Sequence, residues 1–249
     1  MRILIIGESC RDVFCYGECN RLCPEAPVPV FNPMETVSNP GMAMNVRRNI
    51  ETLGKVEVDM HTNQNWENIT KTRYIDHRTN HMFMRLDEND SEYANTHDLD
   101  SLTYKNFDAV VISDYDKGFL SCDDINTIAS RSACVFLDTK KILGDWCEHV
   151  NYIKINEHEY KRSKHIIDKK PDLYKKKLIV TMGSKGCLYK GSVYSVPKVE
   201  IKDLSGAGDT FIAALVVKYV ETKNIETSLH HANQCATNVV QKRGVAIAE

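Results

Sequence analysis

The sequence predicts an α/β fold in three layers: a mainly parallel central sheet, helices on both of its faces, and a small β lid. Three observations predict it. From Phe107 onward short apolar segments alternate with helix-length ones, the pattern of strands buried on both faces. The stretch Asp203-Leu204-Ser205-Gly206-Ala207-Gly208-Asp209-Thr210 opens an apolar run of helical period. The region from Val13 to Val37 is rich in β-branched and aromatic residues yet broken by Gly and Pro, as extended structure outside a central ladder is.

Each element follows in order. Residues 3–7 read as a first buried strand. Pro24, Pro27 and Pro29 confine residues 28–31 to an edge or lid strand. Asn39-Pro40-Gly41-Met42-Ala43-Met44-Asn45-Val46 opens a helix with Val46, Ile50 and Leu53 on one face, and Gly54 is expected to end it as a left-handed cap. Residues 56–60 form a short strand. Residues 70–87 alternate weakly, as a half-exposed hairpin does, with Arg78-Thr79-Asn80-His81 at its turn. Buried strands then fall at 109–113, 134–137, 152–155 and 178–181. Asp114, Asp138, Asn156 and Thr181 stand at their carboxyl ends, where open parallel sheets bind ligands. These four residues are expected to line one crevice; the plain alternative is that they cap the helices that follow. The last helices are expected at 207–221 and 225–241, the second burying Leu229, Ala232, Cys235, Ala236, Val239 and Val240.

A chain of 249 residues with 42% hydrophobic content buries roughly 70–75% of its unfolded surface. One domain over 1–249 is expected, with lid segments at about 12–38 and 70–88. The net charge of −2 provides no basic field for nucleic acid. No apolar run approaches the ~20 residues of a membrane span. A cytoplasmic protein acting on small molecules is the expectation. Nine cysteines are many, and Cys10, Cys15, Cys19 and Cys23 crowd the N-terminal region. Their spacings lack tight C-x-x-C pairs, so reduced thiols are expected in place of a metal cluster. His230-His231 reads as part of a solvated helix face.

The chemistry concentrates at 206–209. Small residues at Gly206, Ala207 and Gly208 let successive amides turn toward one point, and the helix adds its positive N-terminal end. An anion cradle for phosphate results. Asp209 in the first turn is placed to accept a proton from an attacking hydroxyl. The plain alternative is a Gly-rich turn capped by an acidic residue.

Gly7-Glu8-Ser9-Cys10-Arg11-Asp12, the segment 39–46 and the loop 206–209 together resemble the ribokinase (PfkB) sugar kinases. Tyr16-Gly17, Arg21-Leu22, Pro24-Glu25-Ala26-Pro27-Val28-Pro29, Thr70-Lys71-Thr72-Arg73, Met84-Arg85-Leu86-Asp87, Ser113-Asp114-Tyr115-Asp116-Lys117-Gly118 and Asp138-Thr139-Lys140 are similar to one branch of that family. That branch is the D-glycero-β-D-manno-heptose-7-phosphate kinase half of bifunctional ADP-heptose synthases. The resemblance covers nearly the whole chain and implies a ribokinase-like αβα sandwich. It further implies ATP-dependent transfer to the anomeric hydroxyl of a heptose 7-phosphate. It gives Asp209 the role of base and Gly206, Ala207 and Gly208 that of the hole for the transferring phosphoryl group. Asn156 and Glu159 match the N-x-x-E motif that organises Mg²⁺ and phosphate-bound water. Asp12, Gly41 and Asn45 match sugar-contacting positions; Thr181, Gly183 and Gly186 match the nucleotide-side loop; Asn233 falls beside the adenine. Asp203 resembles a position near a monovalent-cation (K⁺) site. Lys71, Arg73 and Arg85 are cationic donors suited to the acceptor's distal phosphate; the plain alternative for each is solvated surface charge on a hairpin. A homodimer is expected.

The sequence also departs from the branch. Glu8 stands where Asp is usual, Met42 replaces the second Gly of a Gly-Gly hinge, and the stretch from Gly54 to Lys71 is short, leaving a sheet edge open to another subunit. No H-x-G-H nucleotidyltransferase motif is present, so another protein is expected to use the product. Two other readings stay open: a different PfkB sugar or nucleoside kinase, and a degenerate kinase kept as a binding protein.

Overall fold

The computed structural model describes residues 1–93, 99 and 102–248. Its main sheet is built on strand β1 (Arg2–Gly7), which pairs in parallel with β4 (Glu57–His61) on one side and β7 (Ala109–Asp114) on the other. Parallel strands β8 (Val135–Thr139), β9 (Tyr152–Asn156) and β10 (Leu178–Thr181) continue it, and antiparallel β11 (Cys187–Tyr189) and β12 (Ser192–Tyr194) finish it. The order is β12-β11-β10-β9-β8-β7-β1-β4.

Alternation along each strand sorts its side chains between two cores. Ile3 and Ile5 pack against α1 (Ala43–Leu53), α5 (Ala207–Thr222) and α6 (Ile225–Val239). Leu4 and Ile6 face α2 (Cys122–Arg131), α3 (Glu157–Ile167) and the short α4 (Pro171–Tyr174). All four side chains are fully buried, which is why the strand is apolar throughout rather than at every second residue. Helix α5 lies between α1 and α6 and buries ten of its residues, so it too is apolar nearly all round. Among the described residues no helix is long and apolar enough to cross a membrane.

The chain leaves the sheet at Glu8 and runs at once into β2 (Ser9–Glu18), the central strand of a separate four-stranded sheet. Its order is β3-β2-β5-β6, with β3 (Asn32–Met42), β5 (Thr70–Asp76) and β6 (Met82–Glu88). The β5–β6 hairpin turns where expected, with Asn80 at φ 62°. Met34, Met82, Met84 and Leu86 stay exposed on this sheet.

Four local expectations need correction. Residues 28–31 contribute an isolated bridge, Leu22 with Pro29, and no strand; prolines at 27 and 29 remove the donors a ladder needs. The segment at 39–42 is the end of β3, paired with β2 down to Ser9–Met42, and α1 begins only at Ala43; Pro40 holds the preceding backbone extended. Gly54 closes α1 at φ −172°, extended and not left-handed, because the chain passes directly into β4. The final helix stops at Val239, two residues early.

Candidate active site

In the strand order the chain moves from β1 outward to β4, then back across to β7. Such a reversal opens a crevice at the carboxyl ends of the two diverging strands. Asp209 lies there. It occupies the first turn of α5, 7% exposed, and each carboxylate oxygen takes one neutral donor. Asn45 Nδ2 donates to Oδ2 at 2.9 Å and the Tyr115 hydroxyl to Oδ1 at 2.7 Å. Burial pushes the carboxyl up to about 6, against the pull of those two hydrogen bonds; Asp138 adds to the rise and Lys154 opposes it. A carboxylate near neutrality, able both to take and to release a proton, is what general-base work needs.

The cradle before Asp209 depends on its glycines. Gly206 adopts φ 79°, and a Cβ there would come within 2.8 Å of Asn45 Nδ2, the group that holds Asp209. A Cβ on Gly208 would stand 3.0 Å from Lys154 Nζ. Lys154 is a buried ammonium on β9, paired at 2.7 Å with Asp138 Oδ2 at the end of β8. The other oxygen of Asp138, Oδ1, is buried with no hydrogen-bond partner. Asn49 ties the region together, its Oδ1 accepting from the Thr210 hydroxyl and the Ala248 amide.

Asn156 is the N-cap of α3. Its Oδ1 accepts the His158 and Glu159 amides, and Glu159 returns the bond to the Asn156 amide at 2.7 Å, a reciprocal capping box. Glu159 is 3% exposed and pairs with Lys140 at 2.6 Å. Burial works against the Lys140 ammonium, but Asp138 and Glu159 outweigh it and hold its pKa above the ordinary value.

Two joined cavities run along the sheet end. The polar one, about 540 Å³, is lined by Asp209, Gly206, Gly208, Tyr115, Asp138, Lys140, Lys154, Asn156 and Thr181 among others. The apolar one, about 370 Å³, shares Thr181, Gly183, Leu204 and Gly208 with it and extends past Gly186, Val196, Phe211 and Ala236 to Asn233. Asn233 Nδ2 donates to the Tyr194 carbonyl at 2.7 Å, and Gly186, at φ 87°, lets that strand approach.

The four-stranded sheet carries the remaining predicted residues. Asp12 Oδ1 takes Arg73 at 2.6 Å, and a Cβ on Gly41 would lie 2.2 Å from Asp12 Oδ2, so only glycine leaves that carboxylate its place. Lys71 and Lys117 both bond Asp90, which also accepts from the Tyr93 hydroxyl at 2.8 Å. Arg85 grips Asp87 through two bonds of 2.8 and 2.7 Å. Met42, at the root of the lid, holds φ 58°, ψ −128° with its side chain buried.

Most predicted residues therefore meet. Asp209, Asn45, the cradle, Asn156 and Thr181 share one crevice, while Gly183, Gly186 and Asn233 line its neighbour. Asp114 does not join them: it is buried beneath, held by Thr139, Lys141 and the Asp116 amide. Glu159 stands behind Asn156, and Asp203 closes the loop by accepting the Ser205 and Gly244 amides at 2.8 and 3.1 Å. All nine cysteines are free thiols. Sequence reasoning assigned no role to Lys154 and none to the Tyr115 hydroxyl. A lysine inside the buried strand Tyr152-Ile153-Lys154-Ile155-Asn156 was the available signal, because a buried ammonium requires a partner.

A polar cavity of this size beside a buried carboxylate, joined to an apolar one at the carboxyl end of a parallel sheet, has room for small-molecule substrates. Residues 45–249 match the family model described as pfkB family carbohydrate kinase, and the chain belongs to that family. It is 28% identical to the "Bifunctional protein HldE" of a Nitratiruptor species, an alignment covering 99% of this chain and 63% of that protein. The chain thus spans somewhat under two thirds of that relative's length. Among solved structures, the nucleoside kinase of Methanocaldococcus jannaschii, an archaeal member of the ribokinase family, superposes with a TM-score of 0.71 at 19% identity, covering 98% of this chain and 93% of that one. Arabidopsis thaliana ribokinase complexed with ribose and ATP gives 0.66 at 17% identity, over 97% and 93% of the two chains. This chain shares the ribokinase-like fold with both of these structures.

Proposed function

We propose that this carbohydrate kinase transfers the γ-phosphoryl group of ATP to the anomeric hydroxyl of a heptose 7-phosphate. The observation behind the transfer is Asp209, a buried carboxylate with a raised pKa beside a glycine cradle at a helix N-terminus. The 28% identity to HldE, together with the lid residues shared with the heptose kinase branch, supports the acceptor. In this reading the apolar cavity takes the adenine, the polar cavity takes the phosphates, and Asp209 receives the acceptor's proton. Lys154 and the first-turn amides of α5 offset charge on the transferring group, since phosphoryl transfer rests on position and electrostatics.

Mg²⁺ fits the polar cavity. The orphaned Asp138 Oδ1 offers an oxygen, and Asn156 and Glu159 would order the surrounding water. Mg²⁺ prefers one or two carboxylates, waters and substrate phosphates to a closed protein cage. When bound, it neutralises developing charge on the phosphates. Asp203 has no orphaned oxygen, and no step is assigned to K⁺ there. In the same reading two copies of the chain associate as a dimer, which sedimentation tests.

One observation favours a second acceptor class. Lys71, Arg73 and Arg85 each already face a carboxylate, which suits a neutral sugar or nucleoside. ADP release measured with heptose 7-phosphate, other sugar phosphates, free sugars and nucleosides decides: preference for heptose 7-phosphate supports the main reading, preference for a neutral acceptor replaces it, and no turnover with any of them leaves a binding protein.

A further inference from the structure

The loop after β7 brings Tyr115 to the base, and it is anchored from below. Glu8, fully buried where β1 gives way to β2, accepts the Tyr115 amide on Oε2 at 2.8 Å and the Lys117 amide on Oε1 at 3.0 Å. Its carbonyl also accepts the Ala43 amide at the start of α1, the helix that carries Asn45. One residue therefore holds the backbone of both segments whose side chains donate to Asp209. The Tyr115 ring is further fixed by the Lys140 ammonium 5.5 Å from its centroid. A phenol so constrained has one proton to give, and it points at Asp209 Oδ1.

We propose that Tyr115 is a positioning residue for the base: its hydroxyl, donating to Oδ1 opposite the Asn45 bond to Oδ2, fixes the rotation of the Asp209 carboxylate. The inference rests on the reading of Asp209 as base. A carboxylate held by Asn45 alone is free to turn about its Cβ–Cγ bond and loses a hydrogen bond that stabilises only the charged form. The other charged and titratable groups facing Asp209 are Asp138 from the end of β8, Lys140 just beyond it, Lys154 from β9 and Cys10 from β2. Burial holds the Cys10 thiol neutral throughout the working range, and the Asp138–Lys154 pair remains in place when only Tyr115 changes.

Tyr115→Phe removes one oxygen and leaves the ring. Two readouts test it: the pH profile of kcat/KM with the acceptor that turns over, and ¹³C-aspartate NMR titration of the Asp209 carboxyl, assigned by its loss in Asp209→Asn. The acid limb and the NMR midpoint are both expected to rise by about one pH unit. If Phe at 115 prevents folding, 3-fluorotyrosine at the same position, a stronger donor, is expected to move both midpoints downward. An NMR midpoint unmoved by either change overturns the proposal. Asp209→Asn with near wild-type turnover overturns the base reading instead, and the NMR arm still shows whether Tyr115 governs that carboxyl.

Discussion

Asn45 Nδ2 and Asp209 Oδ2 lie 2.9 Å apart, joining the first turns of α1 and α5 across 164 residues of chain. Exchanging Asp209 for Asn preserves that volume and removes the proton acceptor. Turnover is expected to fall roughly 10²–10⁴-fold, while ATP affinity by calorimetry and the circular dichroism spectrum stay as in the wild type. The carboxyl must be ionised to act, so wild-type activity is lost as pH falls through about 6. Stability moves the other way. Because the folded pKa lies above the unfolded one, the fold favours the protonated acid, and that contribution fades as pH rises through the same value. Thermal melts at pH 7.5 should find Asp209→Asn no less stable than wild type.

Gly208→Val tests the cradle. Its first added carbon already approaches Lys154 Nζ to 3.0 Å, so the branched side chain displaces the ammonium and fills the phosphoryl position. Turnover is expected to drop on the order of 10²-fold or more. Unchanged steady-state kinetics would reduce the loop to a helix start.

Met42 provides an internal comparison. Its φ 58°, ψ −128° lies where glycine is at home and other residues are strained by about 1–3 kcal/mol. Elsewhere Gly is less stable than Ala by roughly 0.5–1 kcal/mol in regular structure. At position 42 the order should invert: Met42→Gly is expected to exceed Met42→Ala by about 1 kcal/mol in urea denaturation. Ala equal to or above Gly would mean that this backbone is unstrained.

Glu159→Gln bears on the metal. Gln keeps the cap's shape but weakens the grip on Lys140 and the electrostatic order around Asn156. The Mg²⁺ concentration for half-maximal rate should rise. Identical titrations in the two proteins remove Glu159 from metal organisation.

Arg73→Ala and Arg85→Ala address the acceptor. Charged hydrogen bonds contribute roughly 1.5–3 kcal/mol each, so KM for heptose 7-phosphate is expected to rise about 10-fold or more and KM for ATP little. Equal loss with phosphorylated and free sugars would show that these arginines act only on Asp12 and Asp87, their present partners.

Legibility in the sequence followed the physics of each region. Strands β7 to β10 were readable because burial on both faces makes them mostly apolar, and the loop at 206–209 because its small residues stand directly before an apolar run of helical period. The backbone at Gly54 and at 39–42 was not, since extended and helical continuations differ there only through the pairing of 39–42 with β2 and of the strand after Gly54 with β1, partners distant in sequence. Asp209 announced itself by local context. Lys154 showed only as a lysine within an apolar strand; its partner Asp138, like the pairing of Tyr115 with Asp209, follows from the strand order.

Glu8 gives the lid a mechanical character of its own. With no slack between β1 and β2, Ala43, Tyr115 and Lys117 are all fastened to this one residue. On the reading of Asp209 as base, the sheet proposed to close over a sugar and the two donors that hold the proton acceptor share a single hinge.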